Sequence, residues 1–249
     1  MDAVTVTAND GEHIRRMFEN RMLVDSFDRV IVVDNACDDD SAEIARAGGG
    51  TVVRREERGG YGQCINTGYR AVGGGEFFCV LNPDILFLEP RTLERLVEHF
   101  DEPHVALVSP GLVLPTGQLQ DSARTWPTPL DLLLRRYDID PLRGAIRHGG
   151  DVPWTVGAFW VARRSAWDEV GGFDERFFLY FEDVDIAYRL RERGYSVRFD
   201  PSVKAIHNFG AASRSSVTTF AGRHHVRSAT MWWRDNPRFI LTRKAPHRQ

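Results

Sequence analysis

The sequence lacks the features that mark several well-known classes of protein. Its 249 residues include three cysteines, an odd number without Cys-x-x-Cys spacing. We therefore expect Cys37, Cys64 and Cys79 to be reduced thiols that pack inside a cytosolic protein. No apolar run reaches the roughly 18 residues that a transmembrane helix needs. The formal net charge is −3, so the chain as a whole is not the polycation expected of a nucleic-acid-binding protein.

Motifs that would point to other functions are missing as well. Residues 3–7 form an apolar run with no basic-then-apolar leader before it, so we expect no secretory signal. Residues 58–70 contain glycines but match neither GxxxxGKS nor GxGxxG, which favours a turn into a helix over a phosphate-binding loop. We find no Ser-His-Asp or Cys-His arrangement, so covalent catalysis has no candidate residue.

The first third of the chain alternates β-branched runs with helical segments. We predict strands over residues 3–7, 29–34, 51–54 and 76–84, and helices over residues 11–23, 41–47 and 60–72. Ser41 is the predicted N-cap of the second helix, and Gly48 ends it. This order of elements, over about 85 residues, predicts an α/β fold with a parallel, doubly wound sheet.

Polar residues follow three of the predicted strands. They are Asn9-Asp10, Asp34-Asn35 and Asn82-Pro83-Asp84. Parallel sheets of this class bind their ligands at the carboxyl ends of the strands. Each group taken singly has an ordinary explanation, because Asp and Asn favour turns and helix caps. Three groups at one rim of one sheet favour a binding site instead.

The second half of the chain is less regular. We predict a strand at 105–114, a long excursion over 115–153 with one helix near 129–137, and a strand and short helix within 155–173. A helix over 182–194 follows, ended by Gly194, and then two short strands that end at His207. No linker separates the halves, so we predict one continuous domain.

Three acidic residues stand where the helix over 182–194 begins: Glu182, Asp183 and Asp185. Asp185 precedes Arg189 by four residues, the favourable order for an ion pair on a helix surface. Glu182 suits the positively polarised start of a helix. Asp183 has Ile186 and Ala187 three and four residues on, and therefore no basic partner there. Asp183 is either an ordinary first-turn acid or a catalytic base.

These segments together resemble glycosyltransferase family 2, and most closely its rhamnosyltransferase-like branch. The resemblance runs from about residue 3 to 210, and it is carried by "DNACDDDS" (34–41), "NPD" (82–84), the block 157–195 and His207. The most specific part is Gly-Gly-Phe-Asp, then Phe-Phe, then Glu-Asp-x-Asp. It implies a GT-A fold, which is a Rossmann-like, mostly parallel sheet flanked by helices, with an acceptor-side subdomain. Residues 1–110 would form the nucleotide-sugar-binding half, 111–210 the acceptor-binding and catalytic half, and 211–249 a basic helical segment.

The same resemblance implies a reaction. It is the inverting transfer of a sugar from a UDP- or dTDP-sugar to an acceptor hydroxyl, with a divalent metal, Mn²⁺ or Mg²⁺, as cofactor. The acceptor would be a saccharide, a lipid-linked molecule or a small molecule, in the synthesis of cell-surface polysaccharide or glycoconjugates. The rhamnosyltransferase-like branch suggests rhamnose as the sugar. Nucleic acid is not among the expected partners, and the oligomeric state stays open.

The resemblance also assigns roles to single residues. Asp34 matches the acid that recognises the base and ribose of the nucleotide. Asp84 matches the last acid of the DxD-type metal motif, in which Asn82 replaces the first acid, and His207 matches the histidine that completes the metal site. Asp183 matches the acid that deprotonates the acceptor hydroxyl. The further predicted contacts are Thr7, Asn9, Asn35, Asn66 and Gly68 for the nucleotide sugar, and Trp154, Gly157, Ala158 and Glu182 for the acceptor.

The predicted metal site is chemically reasonable. Hard cations take oxygen ligands and few protein carboxylates, so Asp84, diphosphate oxygens and water suit them. The imidazole of His207 favours Mn²⁺. A divalent cation would neutralise the charge that develops on the departing diphosphate. The alternative for His207 is a core or turn histidine, and the alternative for Trp154 is core packing instead of stacking on a sugar.

The sequence departs from the family pattern in two places. The usual Thr-Tyr-Asn after the first strand is Thr7-Ala8-Asn9, which removes an aromatic contact to the base. The loop after Asp34 is more acidic than usual and lacks its Gly. Two other functions therefore stay open as alternatives. One is a sugar-nucleotide pyrophosphorylase, although residues 7–14 lack its glycine- and lysine-rich loop; the other is a non-catalytic nucleotide-sugar-binding protein.

The end of the chain is basic and aromatic. Residues 208–249 hold seven Arg and one Lys against a single acid, Asp235. Such a segment either lies on an anionic membrane surface, near a polyprenyl-diphosphate acceptor, or forms a helix that packs on the sheet. We expect a cytoplasmic protein, with peripheral contact to the inner face of the membrane under the first alternative.

Overall fold

The computed structural model describes residues 1–136, 139, 146–208 and 219–244. The strands are β1 (Asp2–Thr7), β2 (Arg29–Asn35), β3 (Thr51–Arg55), β4 (Phe77–Leu81), β5 (Ile85–Phe87), β6 (Val105–Val113), β7 (Ala123–Arg124), β8 (Gly150–Val152), β9 (Trp154–Thr155), β10 (Phe159–Arg163) and β11 (Ser196–His207). The helices are α1 (Gly11–Glu19), α2 (Arg21–Val24), α3 (Ser41–Ala47), α4 (Tyr61–Tyr69), α5 (Thr92–Val97), α6 (Pro129–Arg136), α7 (Arg164–Val170), α8 (Glu182–Glu192) and α9 (Phe220–Asp235).

A nine-stranded sheet forms the centre of the fold. Its strand order is β3-β2-β1-β4-β10-β6-β11-β5, and β8 pairs with β11. Strands β1 to β4 are parallel to one another, β10 lies antiparallel between β4 and β6, and β11 is parallel to β6. The chain builds outward from β1 through β2 to β3 and then returns to place β4 on the other side of β1. The strand order therefore reverses between β1 and β4, which is where sheets of this kind bind ligands.

Alternate residues of the strands face two hydrophobic clusters, one on each side of the sheet. In β1, for example, Val4 and Val6 face one cluster and Ala3 faces the other. Helices α4, α7, α8 and α9 cover the first cluster, and α1, α3 and α5 cover the second. This burial on both faces explains the nearly continuous apolar character of the central strands. The predicted mostly parallel sheet flanked by helices is confirmed.

Several predicted boundaries are wrong, for local reasons. The predicted helix over 11–23 is divided into α1 and α2. The side-chain oxygen of Asn20 accepts a hydrogen bond from the N–H of Leu23 and so caps a second helix. Asp40, and not Ser41, precedes α3 as its N-cap, and Ser41 instead donates its hydroxyl to Asp39. The predicted fourth strand ends early, at the "NPD" turn, and β5 follows it.

The two short strands predicted between residue 195 and His207 are one strand. β11 pairs with β6 at residues 196–200 and again at 204–206, with a register shift between Asp200 and Lys204. Pro201 lies in this interval and has no N–H to donate, so the hydrogen-bond ladder is interrupted while the chain keeps its direction. This continuous strand carries His207 to the same edge of the sheet as the turn after β4.

Other predictions concern cysteines, membrane spans and the less regular segments. Cys37, Cys64 and Cys79 are free and buried, as predicted. In the part of the chain that the structure describes, no helix has both the length and the apolar character needed to span a bilayer. The predicted excursion and the basic segment each extend beyond the described part, at residues 137, 138 and 140–145, and at residues 209–218 and 245–249.

Candidate active site

Asp34 lies at the carboxyl end of β2 and is fully buried. In the sheet it stands between Thr7 of β1 and Arg54 of β3. One oxygen of its carboxylate accepts the backbone N–H of Cys37 at 2.8 Å. The other oxygen lies 3.3 Å from the guanidinium of Arg54. A buried carboxylate held in this way at the end of a central strand is in place to accept hydrogen bonds from a ligand at the reversal point.

Thr7 and Asn9 border the same end of the sheet. The hydroxyl of Thr7 is buried and has no hydrogen-bond partner among the described residues. Asn9 has a positive φ of 67°, and its side-chain oxygen accepts a hydrogen bond from the N–H of Asp38. Its own N–H points to the sulfur of Cys37 at 3.2 Å. Asn9 therefore joins the loop after β1 to the loop after β2, while its side chain remains exposed.

Three residues predicted to contact the nucleotide sugar make structural contacts within the chain. Asn35 exchanges two hydrogen bonds with the backbone of Gly59. Asn66 of α4 does the same with Phe173. Gly68 lies where α4 crosses the sheet, and a Cβ there would come within 2.4 Å of a methyl of Val4. A contact of these three with the donor stays a prediction.

The turn after β4 is fastened to the second half of the chain by Tyr61. This tyrosine stands at the start of α4, and its hydroxyl lies 2.9 Å from the side-chain oxygen of Asn82 and 3.0 Å from the carbonyl oxygen of Gly157. The N–H of Asn82 also donates to the carbonyl of Ala158 at 2.8 Å. The backbone of residues 157–158 is therefore tied directly to the turn that carries Asp84.

Asp84 and His207 face each other across this turn. The Nε2 atom of His207 lies 3.5 Å from an oxygen of Asp84, and the side chains are 4% and 16% exposed, respectively. The N–H of Asn208 also donates to the carbonyl of Asp84. Burial lowers the pKa of His207, and the charge of Asp84 opposes this more weakly. A lowered pKa favours the neutral ring, which is the form that binds metal ions.

The donor atoms of this pair fit a divalent cation. One carboxylate oxygen and one imidazole nitrogen lie close enough to share an ion with bonds of about 2.1 Å each. No group of three or more His, Cys, Asp or Glu residues suited to a metal ion occurs in residues 1–136, 139, 146–208 and 219–244. A cation at Asp84 and His207 would therefore take its other ligands from the diphosphate and from water.

Asp183 lies in the first turn of α8, half-buried at the other side of Gly157. One of its oxygens accepts the N–H of Gly157 at 3.3 Å, and the other accepts the N–H of Val184 at 2.9 Å. Burial raises the pKa of Asp183, although both of these N–H groups and the charge of Arg124 lower it in part. Asp183 is thus connected through Gly157 and Tyr61 to the turn of Asp84, and it is a stronger base than an exposed aspartate.

Glu182 stands beside Asp183 and is buried. One of its carboxylate oxygens has no hydrogen-bond partner within the described part of the chain. Burial, and then the charge of Asp183, raise the pKa of Glu182 well above its ordinary value. Two carboxyl groups so close together do not both ionise easily. Glu182 therefore holds a proton more tightly than Asp183, and the negative charge of the pair is favoured on Asp183.

The backbone just before α8 is strained. Tyr180 and Phe181 have φ values of 66° and 68°, a region that residues other than glycine rarely adopt. Helix α9 holds this turn in place, since Ser228 donates its hydroxyl to the carbonyl of Leu179 and Trp232 packs against Phe181. Strain of this kind is found mostly at functional sites. It sets the direction in which α8 presents Asp183.

The remaining acceptor-side prediction concerns Trp154. Its ring is 6% exposed, its indole N–H donates to the carbonyl of Thr125, and the guanidinium of Arg124 lies over one face of the ring. These contacts correspond to the packing alternative. A contact between Trp154 and an acceptor sugar stays a prediction.

The structure thus brings Asp84, Asp183 and His207 to one region beside the carboxyl ends of β1, β2 and β4. It also adds Tyr61 and Gln120, which sequence reasoning missed. Gln120 bonds to both the ring and the backbone carbonyl of His207. Neither residue belongs to a recognisable motif, and both reach the site through contacts between distant parts of the chain. No local sequence pattern therefore predicts that Tyr61 and Gln120 lie at the site.

The chain matches a family model, Glycosyl transferase family 2, over residues 2–171. The chain belongs to this family. It is a family 2 glycosyltransferase. It is 26% identical to N-acetylglucosaminyl-diphospho-decaprenol L-rhamnosyltransferase of Mycobacterium tuberculosis, in an alignment that covers 97% of this chain and 89% of that protein. It is 32% identical to pre-mycofactocin glycosyltransferase of the same species, over 72% of this chain and 37% of that protein.

Solved structures of glycosyltransferases share the fold. GalNAc-T7 with UDP, GalNAc and Mn²⁺ aligns with a TM-score of 0.67 and 16% identity, over 96% of this chain and 50% of that chain. Glucosyl-3-phosphoglycerate synthase of Mycobacterium tuberculosis, with Mn²⁺, UDP and phosphoglyceric acid, aligns with a TM-score of 0.62 and 18% identity, over 92% of this chain and 77% of that chain. This family 2 glycosyltransferase therefore has the GT-A fold. Family membership also sets aside the pyrophosphorylase alternative.

Proposed function

We propose that this family 2 glycosyltransferase moves a sugar, with inversion, from a UDP- or dTDP-sugar to an acceptor hydroxyl, and that it needs a divalent cation. The observation that carries the proposal is the chain of contacts from Asp183 through Gly157 and Tyr61 to the turn of Asp84. A raised-pKa base and a pair of cation ligands are thereby held on the same rigid framework. This supports a single displacement, in which Asp183 would act opposite the leaving group.

The nucleotide would bind at the reversal point of the sheet. Asp34 is fully buried between β1 and β3, and one of its oxygens is without a hydrogen bond in the described part of the chain. A ribose hydroxyl or the N–H of a pyrimidine base would supply the missing donor. Thr7, whose hydroxyl has no hydrogen-bond partner among the described residues, lies beside Asp34 in the sheet register. Among the described residues this oxygen of Asp34 has an ion pair with Arg54 at 3.3 Å but no hydrogen bond, so a ligand that donates to Asp34 and pairs with the hydroxyl of Thr7 would be favoured.

The diphosphate would lie next to Asp84 and His207. These two residues would hold Mn²⁺ or Mg²⁺, which supplies charge neutralisation for the departing nucleoside diphosphate. Asn82, in place of an acid, donates through its N–H to Ala158, and its side-chain oxygen accepts from Tyr61. In this chain Asn82 therefore fastens the turn to the acceptor side, and Asp84 alone supplies a carboxylate to the cation.

Asp183 would take the proton of the acceptor hydroxyl as the new bond forms. Burial raises the pKa of Asp183 and, more strongly, that of Glu182, so the negative charge of the pair would be concentrated on Asp183. A positioned general base of this kind contributes about 10²- to 10⁴-fold to a rate. No enzyme nucleophile is needed, in agreement with the sequence.

A rhamnosyl donor and a lipid-linked acceptor are the specific substrates that the relatives suggest. The Mycobacterium tuberculosis relative aligned over 97% of the chain is named for L-rhamnosyl transfer to N-acetylglucosaminyl-diphospho-decaprenol. An acceptor of that type would bring the protein to the inner face of the membrane from the cytoplasm. Trp232 and Phe239 of the basic segment are buried, so any lipid contact would use other residues of that segment.

A thermal-shift and calorimetric screen tests the proposal. UDP, dTDP, GDP and their sugar conjugates are each added with and without Mn²⁺. A ligand present at 100 times its Kd stabilises the fold by about 2.7 kcal/mol, and we expect this effect for UDP or dTDP compounds only when Mn²⁺ is present. In the variant Asp84→Ala, Mn²⁺ should no longer increase the stabilisation that the nucleotide produces. Hydrolysis of the stabilising donor in the presence of Mn²⁺ would rule out a non-catalytic binding protein, whereas stabilisation by none of these nucleotides would refute the proposal.

A further inference from the structure

Gln120 lies in the connection between β6 and β7 and contacts His207 through two hydrogen bonds. Its side-chain nitrogen donates to the backbone carbonyl of His207 at 2.8 Å, and its side-chain oxygen lies 2.9 Å from Nδ1 of the imidazole ring. The two residues are 87 positions apart in the chain. A paired contact of this kind orients both the ring and the strand end that carries it.

The chemistry of the partners determines which atom of the amide faces which. A backbone carbonyl only accepts hydrogen bonds, so the NH₂ group of Gln120 must face the carbonyl of His207. The amide oxygen is then turned toward Nδ1, and an oxygen can only accept. Nδ1 must therefore carry a hydrogen, and in a ring with a single hydrogen the lone pair is then on Nε2. Nε2 is the atom that lies 3.5 Å from the carboxylate of Asp84.

We propose that Gln120 is a positioning residue for the metal site, because it holds His207 in the tautomer whose Nε2 lone pair faces Asp84. The proposal rests on the proposed metal-dependent function. When the ring carries one hydrogen, the Nε2 lone pair and the carboxylate oxygen of Asp84 repel each other, unless a cation, either a second proton or a metal ion, lies between them. The contact with Gln120 prevents the ring from relieving that repulsion by moving its hydrogen to Nε2. Groups that hold a metal-binding histidine by its other nitrogen commonly act in this way.

The backbone of Gln120 is itself held in place. Its N–H donates to the carbonyl of Leu112 in β6, and its own carbonyl accepts the N–H of Ser122. Leu119, just before it, forms a β-bridge with Val113. The position of the amide is thus set by β6, a central strand that also pairs with β11, the strand of His207. Because both partners are fixed to neighbouring strands, the contact is present before any ligand binds.

The variant Gln120→Met tests the proposal, with Gln118→Met as its matched control. Methionine keeps the length of the side chain and removes both hydrogen bonds. Gln118 belongs to the same turn, and its side chain is exposed. We expect Gln120→Met to bind Mn²⁺ about 10- to 100-fold more weakly in the presence of UDP or dTDP, as measured by the electron paramagnetic resonance of free Mn²⁺. Gln118→Met should bind as the wild type does, and both variants should have similar melting temperatures.

A second measurement reads the tautomer directly, without metal. Long-range ¹H–¹⁵N spectra of the histidine-labelled protein, with His207 assigned by its absence in His207→Asn, should show Nδ1–H and a bare Nε2 at pH 7.5. In Gln120→Met the hydrogen should shift, wholly or in part, to Nε2. A proton on Nε2 of the wild type would overturn the proposal, and so would unchanged Mn²⁺ affinity in Gln120→Met. If the tautomer is as expected but the wild type does not bind Mn²⁺ with any nucleotide, the proposed function fails and the role of Gln120 in metal binding fails with it.

Discussion

At the scale of single residues, Asp183 and Glu182 show how two adjacent carboxyl groups acquire different states. Both lie in the first turn of α8 and both have a raised pKa, mainly through burial. Asp183 accepts hydrogen bonds from two backbone N–H groups, and the charge of Arg124 also favours its ionised form. Glu182 has an oxygen without a partner among the described residues. The hydrogen bonds therefore place the negative charge on the residue that lies beside Gly157.

The substitution Asp183→Asn should lower the turnover number by about 10²- to 10⁴-fold, because it removes a general base. Donor affinity in the presence of Mn²⁺ should stay close to that of the wild type, since Asp183 does not lie at the nucleotide end. Steady-state kinetics and calorimetry separate the two effects. Asp185→Asn, which removes the carboxylate that pairs with Arg189 at 2.6 Å, is the control for loss of charge in the same helical turn. Turnover of Asp183→Asn within a few-fold of the control would contradict the role of base.

The substitution Glu182→Gln should stabilise the protein more at neutral than at acid pH. Glutamate in the unfolded chain has a pKa of about 4.3, whereas the pKa of Glu182 in the folded protein is raised well above its ordinary value. Between these two values the unfolded state releases a proton that the folded state keeps, so the free energy of unfolding falls as pH rises. Glutamine removes this loss.

Melting temperatures at pH 4.5 and pH 7.5 check this expectation. The melting temperature of Glu182→Gln, relative to that of the wild type, should be higher at pH 7.5 than at pH 4.5. Glu43→Gln changes an exposed glutamate of α3 and should show no such trend. The same difference at both pH values would mean that the carboxyl of Glu182 is not held protonated in the fold.

At the scale of elements, helix α9 packs against the turn that leads into α8. Trp232 is fully buried and packs against Trp126, Phe181 and Phe239. Ser228, one turn earlier, bonds to the carbonyl of Leu179. The strained turn at residues 180–181 costs about 1–3 kcal/mol for each residue, and these contacts offset that cost. The aromatic character of the basic segment is therefore explained at these positions by packing.

We expect Trp232→Ala to lower the free energy of unfolding by about 3–5 kcal/mol, because it leaves a cavity under the turn before α8.

Ser228→Ala should lower the free energy of unfolding by about 1 kcal/mol, because one hydrogen bond is lost. It should also lower turnover more than donor affinity, since the start of α8 carries Asp183. Chemical denaturation and kinetics measure both effects. Arg227→Ala alters an exposed residue of the same helix and is the control; a Ser228→Ala variant as active and stable as this control would show that α9 does not hold the turn.

At the scale of the whole molecule, one sheet runs through both predicted halves. Strand β10, from the second half, lies between β4 and β6 of the first. Arg163, at its end, donates to the carbonyls of Phe100 and Val105. Residues 1–110 therefore do not close a sheet of their own. We predict that the halves unfold together, as the single continuous domain inferred from the sequence requires.

The distribution of tryptophan makes this prediction testable. All six tryptophans lie at position 126 or later, so their fluorescence reports on the second half alone. Ile31 of β2 is fully buried in the first half, and Ile31→Ala should cost about 2–5 kcal/mol. If the molecule unfolds as one unit, this substitution lowers the denaturation midpoint seen by tryptophan fluorescence and by circular dichroism equally. A fluorescence midpoint that does not move would show two independent units.

The sequence by itself determined the alternating elements, the parallel sheet and the rim at which Asp34 and Asp84 stand. These features depend on local periodicity, turn chemistry and the alternation of side chains along a strand, all of which act over a few residues. It also determined the ion pair of Asp185 with Arg189, because a helix brings residues four apart together. The specific blocks around residues 157–195 identified the family, which then supplied His207 as a metal-ligand candidate.

Only the tertiary structure decided which of these residues meet and in what state. The contact of Gln120 with His207, the bridge from Tyr61 to Asn82 and Gly157, and the burial of Trp154 all join segments far apart in the chain. Asn35, Asn66 and Gly68, which suggested ligand contacts in the sequence, are engaged by neighbouring backbone or packed against the sheet. The pKa shifts of Glu182 and Asp183 also depend on burial, which no local pattern encodes. A residue type limits the chemistry that is available, whereas its partners, its distance from water and its direction are set by packing between elements.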